Sequence, residues 1–107
     1  MKEDKRKRLE QAGWKVGDTQ GFLGLSDQEQ AYIDLKLTFS RLLKKERKQN
    51  GLTQSELAER IHSSQSRVAK MENGDPSVSV DLIIKALLTL DVSRETLGEN
   101  IKHPPLT

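Results

Sequence analysis

From Ser26 onward the large apolar residues return three and four positions apart, with polar residues filling the gaps. That is the period of an α-helix with one buried face, and no stretch alternates apolar and polar residues long enough to argue for a strand. The first such segment predicts a helix from Ser26 to about Gln49, with Leu35, Thr38, Phe39, Leu42 and Leu43 as its core stripe. Ser26 followed three residues later by Glu29 makes a capping box, in which hydroxyl and carboxylate each accept the other residue's amide, and Asn50-Gly51 ends the helix. Ile33 and Leu37 fall on a different side, so the first half of this helix is apolar over more than one face and requires a cover.

Four shorter segments follow. Thr53 and Glu56 form a second capping box, supported by a Leu52/Leu57 staple, and open a helix of about eight residues whose inner face is Leu57, Ala58 and Ile61. His62 to Ser64 separate it from a helix capped by Ser64 and running through Glu72 to Asn73-Gly74. Here only Val68 and Met71 are large and apolar, which leaves a thin ridge to pack and a broad polar face turned outward. Pro76 enforces a loop, Ser79 starts a fourth helix with Leu82, Ile83, Ala86, Leu87 and Leu90 facing inward, and Ser93 caps a short last one. Residues 26–101 are therefore expected to form a single all-α domain of five helices, with 102–107 a frayed tail.

Residues 1–25 read differently. A short charged stretch precedes "GWKVGDTQGFLGL", whose glycines break helices while Trp14, Phe22 and Leu23 are too apolar to float free. This is expected to be an arm that packs on something, either the apolar excess of the long helix in the same chain or a partner molecule.

Charge sharpens the picture. The net charge is only +2, yet residues 36–70 carry nine basic and three acidic groups, while 9–35 and 71–107 are both net acidic. Basic charge gathered in the middle third suits one face meeting a polyanion, although charge runs also simply solvate a helix face. Cysteine is absent, which removes disulfides, thiolate metal sites and thiol nucleophiles and agrees with a reducing compartment, the cytoplasm by default. The basic N-terminus has no apolar core behind it, so no secretory signal is expected, and "LIIKALLTL" is far below the roughly 20 residues of a membrane span. There is no nucleophile-base-acid set, no phosphate-cradling glycine loop and no metal cluster; His62 and His103 are the only imidazoles. An enzyme is not expected, nor a metal or cofactor.

Two short helices joined by a tight turn, the second polar and basic outward, describe a helix-turn-helix, whose second helix lies in the DNA major groove. "LTQSELAERI", "SSQSRVAKMENG" and "PSVSVDLIIKALLTLDVS" resemble together the Xre/Cro-like helix-turn-helix family of phage repressors, over about Leu35 to Val92. The resemblance implies a lambda-repressor-like DNA-binding domain. His62 departs from it, standing where the family often has glycine, and is expected to take a left-handed turn conformation.

On the outward face Gln65 can address adenine through its amide, Ser66 can donate or accept, and Lys70, one turn on, reaches guanine or a phosphate. Ser64 and Arg67 lie to the flanks, suited to phosphates, and Gln54 sits where the preceding helix meets the backbone. By resemblance Gln54, Gln65, Ser66 and Lys70 match the family's DNA-contacting positions. It also implies a partly buried ion pair between Arg47 and Glu72, against the plainer possibility of two unrelated surface charges.

A longer match narrows the expectation. The segment from Ala12 to Leu37 ahead of the domain, with the domain itself, is similar to bacterial Xre-type antitoxins, whose genes pair with RelE-like mRNA-cleaving toxins. The resemblance implies a homodimer that represses its own operon through palindromic double-stranded DNA and neutralises a RelE-like toxin by direct contact. Trp14, Phe22, Leu23, Ile33 and Leu37 are then the candidate partner-binding residues. A stand-alone regulator that uses the arm as a dimerisation strap is the alternative.

Overall fold

The computed structural model describes residues 26–105, and over that range every element is helical. Five helices follow one another: α1 (Asp27–Gln49), α2 (Gln54–Arg60), α3 (Gln65–Glu72), α4 (Val80–Thr89) and α5 (Arg94–Lys102). The chain divides into two units between Asp34 and Leu35. Of the first, the described part is the opening of α1; the second holds the remainder of α1 and the other four helices. Trp14, Phe22 and Leu23 lie outside the described residues.

Every helix starts behind a hydroxyl. Ser26 and Glu29 exchange amide bonds at 2.9 and 3.0 Å, and Thr53 and Glu56 do the same at 2.8 and 3.0 Å, so both expected capping boxes are formed. Ser64, Ser79 and Ser93 accept the amides of Arg67, Leu82 and Thr96. Each such cap satisfies an otherwise orphaned amide and stabilises its helix by about 1 kcal/mol relative to alanine.

The first four helices also stop in one way. In each turn a residue with positive φ donates its amide three residues back, while the next residue donates five back. The bonds are Gly51 to Lys48 and Leu52 to Arg47; His62 to Glu59 and Ser63 to Ala58; Gly74 to Met71 and Asp75 to Lys70; Asp91 to Leu88 and Val92 to Leu87. Glycine meets the left-handed requirement at Gly51 and Gly74 (φ 70° and 66°), and His62 and Asp91 adopt it with side chains (φ 56° and 61°). His62 thus takes the conformation expected of it, at a steric cost that glycine would avoid. Gly74 has a second constraint, because a Cβ there would lie 2.8 Å from Leu37 Cδ2.

The core draws on α1 through α4 and the turn after α4: Leu42, Leu43, Leu57, Ala58, Val68, Met71, Val78, Ile83, Ala86, Leu87, Leu90 and Val92 are buried, with Phe39, Leu52, Ile61, Leu82 and Leu97 packed against them. Leu35 does not belong to the stripe predicted for it and stands 42% exposed. The reason is length: α1 rises about 34 Å, whereas the helices it packs against rise about 10 to 15 Å, so its apolar positions outnumber the partners they find there. Lys36, one of the nine basic residues between positions 36 and 70, is not part of an exposed cationic face. It is buried, and its ammonium donates to the Asp75 carbonyl at 2.9 Å, tying α1 to the loop after α3.

Candidate nucleic-acid interface

α2, the Ile61–Ser64 turn and α3 form the bihelical unit, and the core residues Leu57, Ala58, Val68 and Met71 fix the two helices to each other and to α1. With Val68 and Met71 facing inward, Ser64, Gln65, Ser66, Arg67 and Lys70 are all exposed on the other side of α3. Ser64, Ser66, Arg67 and Lys70 border a shallow notch completed by Ser77 and Val78 of the following loop. The Ser64 hydroxyl already accepts the Arg67 amide, so its own proton is what it offers an incoming anion.

Behind this face lies an ordered chain of bonds. Arg47 Nε and Nη2 donate to the two oxygens of Glu72 at 2.6 and 3.1 Å, a bidentate pair with side chains 10% and 2% exposed, and Arg47 Nη1 donates to the Leu52 carbonyl at 2.7 Å. Gln54 Nε2 donates to Glu72 Oε1 at 3.1 Å, and Gln65 Nε2 donates to Gln54 Oε1 at 2.6 Å. The direction of every bond follows from the charge at its origin. An ionised carboxylate only accepts, so Gln54 must present its NH₂ to Glu72 and therefore turns its carbonyl toward Gln65. Gln65 must then answer with its own NH₂. What remains for a ligand is the Gln65 carbonyl and the second amide hydrogen, the acceptor and donor pair that adenine N6 and N7 complement.

Lys70 has an acidic neighbourhood that the sequence alone does not show. The Ser77 hydroxyl, donating to Asp75 Oδ1 at 2.6 Å, holds that carboxyl below its ordinary 3.8; the Ser77 amide at 2.8 Å adds to this, and Lys70 and Lys36 contribute weaker attraction. A depressed carboxyl stabilises the folded loop fully above the ordinary range and loses that contribution only as pH falls below it, so the loop that flanks Lys70 keeps this tie at neutral pH.

The structure thus brings Gln54, Gln65, Arg47 and Glu72 into one network and Ser64, Ser66, Arg67 and Lys70 onto one exposed face. Ile33 is 37% exposed, and the half-buried Leu37 lines a groove that also includes Glu72. No local pattern in the sequence marks the Gln54–Gln65 bond or the Lys36 tie. Eleven residues separate the first pair and 39 the second, beyond any helical spacing rule. No group of His, Asp or Glu among the described residues could hold a metal ion, and no described helix is long and apolar enough to cross a membrane.

Residues 43–97, just over half the chain and all of the bihelical unit, match the family described as helix-turn-helix. Neither a curated protein nor a solved structure matches the chain.

Proposed function

Because the chain belongs to the Xre/Cro-like helix-turn-helix family of DNA-binding transcription regulators, we propose that it is a sequence-specific repressor that reads its operator with Gln65, Ser66 and Lys70 of α3 and sits on the duplex as a homodimer. The observation that carries the reading is the one-way bond chain from Arg47 through Glu72 and Gln54 to Gln65. It presents Gln65 in one amide orientation before DNA arrives, so the side-chain ordering that binding normally costs is partly met in advance. Gln54, Ser64 and Arg67, on the flanks, position the protein by phosphate contacts. A two-fold dimer calls for a palindrome with half-sites about 34 to 36 Å apart.

The proposal extends to a partner. Resemblance of the segment ahead of the domain to Xre-type antitoxins supports a role in neutralising a RelE-like toxin in the cytoplasm, with Trp14, Phe22, Leu23, Ile33 and Leu37 as anchors. Tyr32 and Ile33, both exposed on α1, add apolar surface suited to such a contact. The test is co-expression of the tagged full-length chain with the product of the adjacent reading frame. A stoichiometric complex that silences mRNA cleavage is the expected result. A chain that represses its operon and captures no such protein is a stand-alone regulator, and the toxin reading falls.

A further inference from the structure

A second cationic feature lies outside the face just described. Arg41, Lys44, Lys45 and Lys48 follow one another at i, i+3, i+4 and i+7 along α1, so they share one side of the helix. They line a groove of about 640 Å³ together with Leu37, Ser40, Gln49, Glu72 and Asn73. The other cations of α1 are engaged, Lys36 with the Asp75 carbonyl and Arg47 with Glu72, whereas none of these four enters an ion pair among the described residues. The one carboxylate in the groove, Glu72, is already neutralised by Arg47. Ser40 lies in the same wall, 1% exposed, its hydroxyl without a hydrogen-bond partner among the described residues. The negative end of the helix dipole accounts for Lys48 but fades within the last turn, and does not reach Arg41 or Lys44.

We infer that this stripe is a second binding element, a rail for the phosphodiester backbone of DNA beside the segment that α3 reads. The inference rests on the DNA-binding reading above. Glu72 and Asn73, at the C-terminal end of α3, are part of the groove wall, so the stripe lies beside the helix that enters the duplex. From Arg41 to Lys48 the helix rises about 10.5 Å, long enough for its four cations to meet more than one phosphate of a single strand. A protein partner is the poorer match, because lysine is depleted from protein interfaces and the groove wall holds no aromatic anchor.

The experiment is the salt dependence of binding to the selected operator, measured for the full chain, for Lys45→Gln/Lys48→Gln, and for Arg94→Gln/Lys102→Gln, which removes equal charge from α5. Each lost phosphate contact flattens the slope of log K against log salt by about 0.9. The rail variant is expected to lose about 1.8 of slope per protomer, about 3.6 for the homodimer on its palindrome, with its base preference intact, and the control to keep the parent's slope. Equal slopes in the rail variant and the parent overturn the inference, as does an equal loss in the control. A rail variant with the parent's slope that no longer captures a protein partner assigns the stripe to that partner and also overturns it. A parent chain that binds no duplex fails the underlying reading instead, so the two failures are distinguishable.

Discussion

Replacing Glu72 with alanine is expected to lower the unfolding free energy by about 3 to 5 kcal/mol, the usual result of stripping one partner from a buried ion pair. The loss is large because of what stays behind. Arg47, 10% exposed, retains only its Nη1 bond to Leu52, and its Nε and Nη2 lose the carboxylate that accepts from them. Domains of this size hold about 5 to 15 kcal/mol in total, so the variant is expected to lose a large share of its stability. Urea denaturation followed by circular dichroism measures it. The paired substitution Arg47→Met/Glu72→Leu removes both charges and is expected to recover most of the stability, while Gln54 and Gln65 lose the carboxylate that orients them. A Glu72→Ala chain within about 1 kcal/mol of the parent would mean that the pair behaves as an exposed one.

Leu57→Ala is expected to cost about 2 to 5 kcal/mol, the range for emptying a leucine site in a core that relaxes only in part. Leu57 is fully buried in α2, against a core that includes Val68 and Met71 of α3, so the cavity opens between the two helices of the bihelical unit. Operator binding is expected to weaken beyond what the unfolded fraction explains, since the spacing of α2 and α3 is what aligns Gln54 with Gln65. Leu88→Ala, at a site 54% exposed, removes the same atoms and is expected to change stability by less than about 0.5 kcal/mol. Comparable losses in the two variants would place the core elsewhere.

Much of this architecture is written locally. Ser26/Glu29 and Thr53/Glu56 specify two helix starts within four residues each, Ser64, Ser79 and Ser93 supply the other three, and Gly51 and Gly74 mark two of the stops. Asp91 also takes the left-handed conformation, which aspartate tolerates better than most residues, but tolerance alone does not single it out in the sequence as glycine does at Gly51 and Gly74. Leu35 satisfies the apolar period and is exposed all the same, since periodicity says which side of a helix is apolar and nothing about how far its partners extend. Charge counting had the same blind spot. Lys36, Lys44 and Lys48 look alike in the sequence, yet one is spent on a backbone carbonyl 39 residues away and the others line an open groove.

For the candidate site, family resemblance picked out Gln54 and Gln65 separately, and the bond between them gives their pairing a reason. A glutamine amide can face either way in isolation; here its direction descends from a guanidinium in the core. That makes the face of α3 a preset surface, consistent with a regulator that must reject most of the sequences it meets.

The claim that α3's outward face reads DNA is tested most directly by selecting duplexes from a random pool with the parent chain, Gln65→Ala and Lys70→Ala, and comparing the preferred bases. The parent is expected to select a palindrome, and each variant to lose preference at one position per half-site, by about 1 to 3 kcal/mol for the lost contact, while folding as the parent does. Identical preferences in all three chains would contradict the account.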